Sequence, residues 1–98
     1  MRLKVGGVNS IVDVNLLREK RDTIKLIVDI LEITLNEATK TDIVYKANLN
    51  FKQVQKFLDF LIKKGLIYVS SNKRKRYRTT EKGKEFIRRY RKIVELIS

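Results

Sequence analysis

The chain has 98 residues, with 23 Lys and Arg against 11 Asp and Glu for a net charge of +12, and 43% of it is hydrophobic. Such a length supports one domain with one modest core, and the apolar share is too high for disorder at this charge density. No cysteine, no histidine and no run of eighteen apolar residues are present, which excludes a disulfide scaffold, thiolate or imidazole catalysis, and a membrane-spanning helix.

The charge is unevenly spread. Residues 63–92 hold thirteen basic residues and two acids, Glu81 and Glu85, so they carry +11 while the remainder carries +1. Segregation of this kind attracts polyanions, most often nucleic acid and sometimes an anionic membrane. Abundant Lys, Arg and Ile with only two Gln resembles a thermophile composition. The start, MRLKVGGVNS, has neither the apolar core nor the cleavage site of a secretory signal, so a cytoplasmic, nucleoid-associated protein is expected.

In chain order, residues 1–9 are a basic lead broken by Gly6-Gly7. Ser10 and Asp13 have capping-box spacing, so Ile11–Leu17 reads as a short helix, although IVDVN equally suits a strand. From Asp22 to Asn36 two apolar stripes run side by side: Ile24, Ile27, Val28, Leu31 and Leu35, then Leu26, Ile30 and Ile33. Only a narrow polar seam of Lys25, Asp29, Glu32 and Asn36 is left, so this helix needs cover on more than one side. Thr39 and Asp42 form a second capping signal. The short helix they open turns Ile43, Val44 and Ala47 inward, and Asn48-Leu49 makes a turn.

Asn50 then caps a longer helix over 50–64. Gln53 is placed to reach back to it, Leu49 and Val54 can staple the entry, and Gly65 follows Lys63-Lys64 where a left-handed residue ends a helix. At a hundred degrees per residue Phe51, Val54, Phe57, Leu58 and Leu61 share the core side. Lys52, Lys56, Asp59 and Lys63 lie opposite, with Gln53 and Gln55 on the flanks. Short helix, tight turn and longer helix make a helix-turn-helix. After it LIYV reads as a strand, SSNKRKR as a basic loop and Tyr77–Thr79 as a returning strand. Thr80 caps a last helix in which Phe86, Tyr90, Ile93 and Ile97 recur at helical spacing. No repeat, low-complexity tract or proline interrupts the chain.

Three separated motifs occur in register: Thr41-x-Ile43-x-Tyr45-x-Ala47-Asn48-Leu49-Asn50-Phe51, Lys64-Gly65-Leu66-Ile67 and Tyr77-x-x-Thr80-Glu81-Lys82-Gly83. Over about residues 20–95 the chain resembles the small archaeal winged-helix DNA-binding proteins of the ten-kilodalton crenarchaeal chromatin-protein type. The resemblance implies a mainly α fold with a small β-hairpin, in which a three-helix core carries a wing and a C-terminal helix. It further implies that the helix after the turn enters a major groove, that the wing touches the backbone, and that the last helix pairs two subunits as an antiparallel coiled coil. A final helix of about eighteen residues and a longer lead over 1–19 depart from that pattern.

The expected organisation is therefore an arm or extra element over 1–19, the winged domain over 20–80, and a helix over 81–98 that packs on it and dimerises. For double-stranded DNA, the reading positions are Asn50, Lys52, Gln53, Gln55 and Lys56. Glutamine can bond adenine and lysine can donate to guanine. Asp59, two turns on, should repel phosphate and end the contact. Lys73, Arg74, Lys75, Arg76 and Arg78 form the wing set at 70–78, suited to phosphate or minor-groove contact. Thr39 and Lys40 are secondary phosphate candidates at a helix amino terminus, although capping alone also explains Thr39. The Phe86–Ile97 seam should pack on the helix at 22–36, with Tyr90, Ile93, Val94 and Ile97 extending to a symmetric partner helix. Arg88, Arg89, Arg91 and Lys92 either extend the DNA surface or only keep an exposed helix soluble, the second being favoured.

No catalytic or metal-ligand pattern, cofactor site or small-molecule ligand is expected, and the favoured role is a transcriptional regulator. A non-specific architectural chromatin protein and a winged-helix protein-interaction module are the alternatives. A membrane-surface role for the last helix would sacrifice a seam the core needs.

Overall fold

The computed structural model describes residues 23–98; the readings made for the lead and for Ile11–Leu17 lie outside the described residues. Helix α1 runs over 23–33 and is followed by β1 (Ala38–Thr39), α2 (Lys40–Ala47), α3 (Phe51–Lys63), β2 (Ile67–Ser71), β3 (Arg76–Thr79) and α4 (Glu81–Ile97). Four helices thus surround a small antiparallel sheet of order β1-β3-β2. None of the described helices is long and apolar enough to cross a membrane.

The core forms where the apolar stripes meet. Ile27, Ile30 and Leu31 of α1 pack with Ile43 of α2, Val54, Leu58 and Leu61 of α3, Leu66 and Ile67 around the start of β2, Tyr77 of β3 and Ile87 of α4. The stripe on α1 reads on to Leu35, but the helix ends at Ile33 with a turn over 34–35. The reason lies in the hydrogen bonds. The Leu35 N–H turns to Glu32 C=O, so the Leu31 carbonyl lacks its usual donor four residues on. A hydroxyl from β3 replaces it: Thr79 Oγ1 donates to Leu31 O at 2.6 Å and lies 2.8 Å from Thr34 Oγ1, both side chains being buried. The Thr79 N–H donates to Thr34 O at 2.9 Å. Side-chain capping of a carbonyl from 48 residues away thus fixes the hairpin to the end of α1.

The expected two-stranded hairpin proves to be a three-stranded sheet. β1 pairs Ala38 with Tyr77 and Thr39 with Arg76, while β2 pairs Ile67 with Thr79, Tyr68 with Arg78, Val69 with Tyr77 and Ser71 with Arg76. Ser70 is the extra residue of a bulge between Val69 and Ser71, and such insertions bend a strand. Its hydroxyl donates to Glu37 Oε2 at 2.6 Å. SSNKRKR is therefore not all loop. Ser70 and Ser71 continue β2, Arg76 opens β3, and the tip is only Asn72–Lys75.

α4 begins at the Thr80 cap, whose Oγ1 accepts from the Gly83 N–H at 3.0 Å. Gly83 is buried against the hairpin base. A Cβ there would fall 2.4 Å from Thr79 Cγ2 and 2.5 Å from Leu66 O, so only glycine permits this approach.

Candidate nucleic-acid interface

Both helices of the helix-turn-helix start with reciprocal caps. In α2, Thr39 Oγ1 accepts from the Asp42 N–H at 3.1 Å and the Thr39 N–H donates to Asp42 Oδ2 at 3.0 Å. In α3, Asn50 Oδ1 accepts from the Gln53 N–H at 2.7 Å and Gln53 Oε1 accepts from the Asn50 N–H at 3.1 Å. Between them Asn48 is left-handed, at φ 56° and ψ 47°, which Asn tolerates better than most residues. These bonds orient α3 and also occupy groups that sequence reasoning left available. The carbonyl ends of Asn50 and Gln53 are engaged in the cap. Thr39 is committed likewise, with the Asp42 carboxylate lying at the amino terminus offered to phosphate. Its bonds to Thr39 hold the Asp42 carboxyl below the usual carboxylate range, with Lys46 and Arg76 adding to the effect.

The faces of α3 are close to those the periodicity predicts, with one correction. Val54, Leu58 and Leu61 are buried and Phe57 half-buried, but Phe51 is 54% exposed. It lies on the core-side azimuth but in the first turn, ahead of Val54, the first buried residue of the helix. Lys52, Lys56, Asp59 and Lys63 are exposed on the opposite side. Gln53 and Lys56 also line a shallow groove of about 320 Å³ with Ile27, Phe57 and Phe60, which sets Gln53 on the α1 flank.

Gln55 is on the other flank and is fully engaged. Lys40 Nζ donates to its Oε1, and its Nε2 donates to Asp59 Oδ1 at 2.7 Å. Lys40 therefore reaches α3, not a free helix terminus. The Asp59 end of this chain also adjoins the hairpin. Burial pushes the Tyr77 phenol above its ordinary pKa, and the nearby Asp59 carboxylate raises it further. Lys40 and Gln55 thus join the start of α2 to the flank of α3. No local pattern in the sequence links positions 40, 55, 59 and 77.

The tip residues Lys73, Arg74 and Lys75 are exposed, Arg78 is exposed in β3 opposite Tyr68, and Arg76 is half-buried beside Thr39. The five wing cations come from one hairpin, and β1 carries it next to the start of α2. Among the described residues, none of these five, nor Lys52, Lys56 or Lys63, forms an ion pair. The contrast is α4. Arg88 and Arg89 bind Glu85 at 2.6 and 2.9 Å, Arg91 binds Glu32 at 2.5 Å, and Lys84 binds Glu81 at 3.0 Å. The two arginines hold the Glu85 carboxyl below its ordinary pKa, Arg89 first.

The apolar seam of α4 divides in two. Ile87 is buried, and Phe86 and Tyr90 are half-buried beside Ile24. Ile93, Val94 and Ile97 do not belong to the core of the described residues: Ile93 is 57% and Ile97 70% exposed. Among the described residues no cluster of acidic side chains could hold a metal ion.

Comparison with known proteins agrees with this architecture. A family model described as winged helix-turn-helix matches residues 20–98. An uncharacterized protein of Methanocaldococcus jannaschii is 35% identical over 82 residues, which cover 83% of this chain and 81% of that one. The crystal structure of Sso10a-2, a DNA-binding protein from Sulfolobus solfataricus, superposes with a TM-score of 0.68 at 32% identity, covering 76% of this chain and 79% of the other.

Proposed function

Because the chain belongs to the winged helix-turn-helix family, we propose that it is a double-stranded DNA-binding protein acting as a transcriptional regulator, with α3 in the major groove and the hairpin on the backbone. One observation carries the reading. No cation of α3 or the hairpin forms an ion pair among the described residues, whereas Arg88 and Arg89 share Glu85 and Arg91 pairs with Glu32. Unpaired cations on two adjoining elements are what displaces counterions from a polyphosphate. The DNA-binding relative Sso10a-2 supports the same partner.

Within that reading the free donors are Lys52 and Lys56 on α3 and the five hairpin cations. Lysine donates to guanine O6 and N7 in the major groove, and the hairpin grips phosphate and sets orientation. The exposed end of α4 supports a homodimer through Tyr90, Ile93, Val94 and Ile97, which would present two reading helices related by a two-fold axis. The role is one of binding and not of catalysis, on the nucleoid.

The test is duplex affinity as a function of salt. Six to eight phosphates neutralised by α3 and the hairpin give a slope of log affinity on log salt near −5 to −7. A slope near −2 leaves the hairpin without its part, and no gel-shift with any duplex would overturn the reading. Binding-site selection from random duplex distinguishes a regulator, which returns a palindromic motif, from an architectural protein, which returns none.

A further inference from the structure

Asp59 is the one acid of α3, and it is exposed on the same side of the helix as its lysines. Lys52, Lys56 and Lys63 share its outer face. Gln55 donates to it at 2.7 Å while Lys40 donates to Gln55. The other acids on this side are occupied locally: Asp42 caps α2, and Glu37 accepts from Ser70. A solvated surface acid would need no such support. Both ends of the Gln55 amide are fixed, one by a cation and one by the carboxylate, so the position of the carboxylate is set by α2 as well as by α3.

Resting on the DNA-binding reading, we infer that Asp59 is the specificity-determining residue of the interface, accepting a hydrogen bond from an exocyclic amino group in the major groove, that of cytosine N4 above all. The carboxylate accepts and cannot donate. Opposite a cytosine it gains a charge-assisted bond, whereas opposite guanine O6 and N7 or thymine O4 it meets acceptors and is repelled. Its charge thus weakens binding to arbitrary duplex more than binding to the preferred one, a repulsive element of the kind that specificity requires. Gln55 is then a positioning residue that holds the carboxylate, not itself a reader of adenine.

Asp59→Asn tests this cleanly, because the Asn carbonyl can still accept from Gln55 Nε2 while the charge is gone. Binding-site selection is run with wild type and variant, and affinities for the selected and a scrambled duplex are measured from 0.1 to 0.5 M salt. The wild type is expected to return a motif with a cytosine position that the variant no longer requires. Removing one like charge steepens the salt slope by about 0.9, so between 0.5 and 0.1 M salt the variant should gain about fourfold over the wild type on scrambled duplex. The ratio of selected to scrambled affinity falls by at least that factor, with an unchanged melting temperature. Equal changes for both duplexes, or a wild type that binds DNA without returning a motif, would overturn the inference and leave DNA binding standing. A wild type that binds no duplex overturns both.

Discussion

Thr79→Val isolates the buried hydroxyl that joins the hairpin to α1. Valine keeps the methyl group that packs beside Gly83 and puts a second methyl in place of the hydroxyl. What is lost is the 2.6 Å bond to Leu31 O and the 2.8 Å contact with Thr34 Oγ1. The single Thr34 proton can then turn either to Ile30 O at 2.8 Å or to Leu31 O at 3.3 Å, so Leu31 O, a buried carbonyl, loses its short partner and is left with at best the longer one. A buried acceptor left poorly satisfied costs about 1–3 kcal/mol, and the added buried methyl offsets up to about 0.8 kcal/mol. The net of about 1–2 kcal/mol corresponds to a fall in melting temperature of about 4–16 °C for a domain of this size. Thermal unfolding followed by circular dichroism at fixed protein concentration reads it. The Thr34→Val and Thr79→Val single and double variants should show a coupling of at least about 0.5 kcal/mol. A Thr79→Val protein melting within 2 °C of wild type, or strict additivity in the cycle, would refute the capping argument.

Gly83→Ala gains about 1 kcal/mol of helix propensity but drives a methyl group to within 2.5 Å of Leu66 O, a carbonyl held by the Thr80 N–H. Overpacking of this kind costs about 1–3 kcal/mol, and since backbone must yield the net is a lower melting temperature. Replacing Lys73, Arg74 and Lys75 together by Ala should make the salt slope for duplex binding shallower by about 2 to 3, with the melting temperature unmoved. The parent is expected to show twice the 11.6 kDa chain mass by light scattering, and Ile93→Glu combined with Ile97→Glu should reduce it to the monomer. The Asp42 carboxyl, depressed by its cap, stabilises α2 at neutral pH. That contribution is present above the ordinary value of 3.8 and fades as pH drops towards the depressed value. Asp42→Asn should therefore flatten the acid limb of the stability curve.

What the sequence makes legible here is what closes within a few residues. The Thr39–Asp42 and Asn50–Gln53 caps, the Thr80 cap and the left-handed Gly65, at φ 75°, each depend on neighbours three or four positions away. The buried faces of α2 and α3 follow from helical period in the same way. Phe51 shows the limit: its azimuth is that of the core side, yet burial also needs a neighbour at that height along the axis. β1 is two residues long, too short to show alternation, and forms only because β3 lies alongside it. The chain Lys40–Gln55–Asp59 and the Thr34–Thr79 pair join positions 15 and 45 apart, respectively. Contacts of that range are decided by tertiary packing, and for this reason Gln55 reads as a free amide until its Lys40 partner is known.

Thr39 is at once the last residue of β1 and the cap of α2. The hairpin is consequently not an independent flap: sheet and helical pair share a backbone joint, and tilting one would break the other. The distance between the outer face of α3 and the hairpin tip is therefore built in, like the gap between two prongs of a plug. A duplex that does not match that gap must itself adjust, so flexible pyrimidine–purine steps placed between the two footholds should be favoured although no side chain touches them.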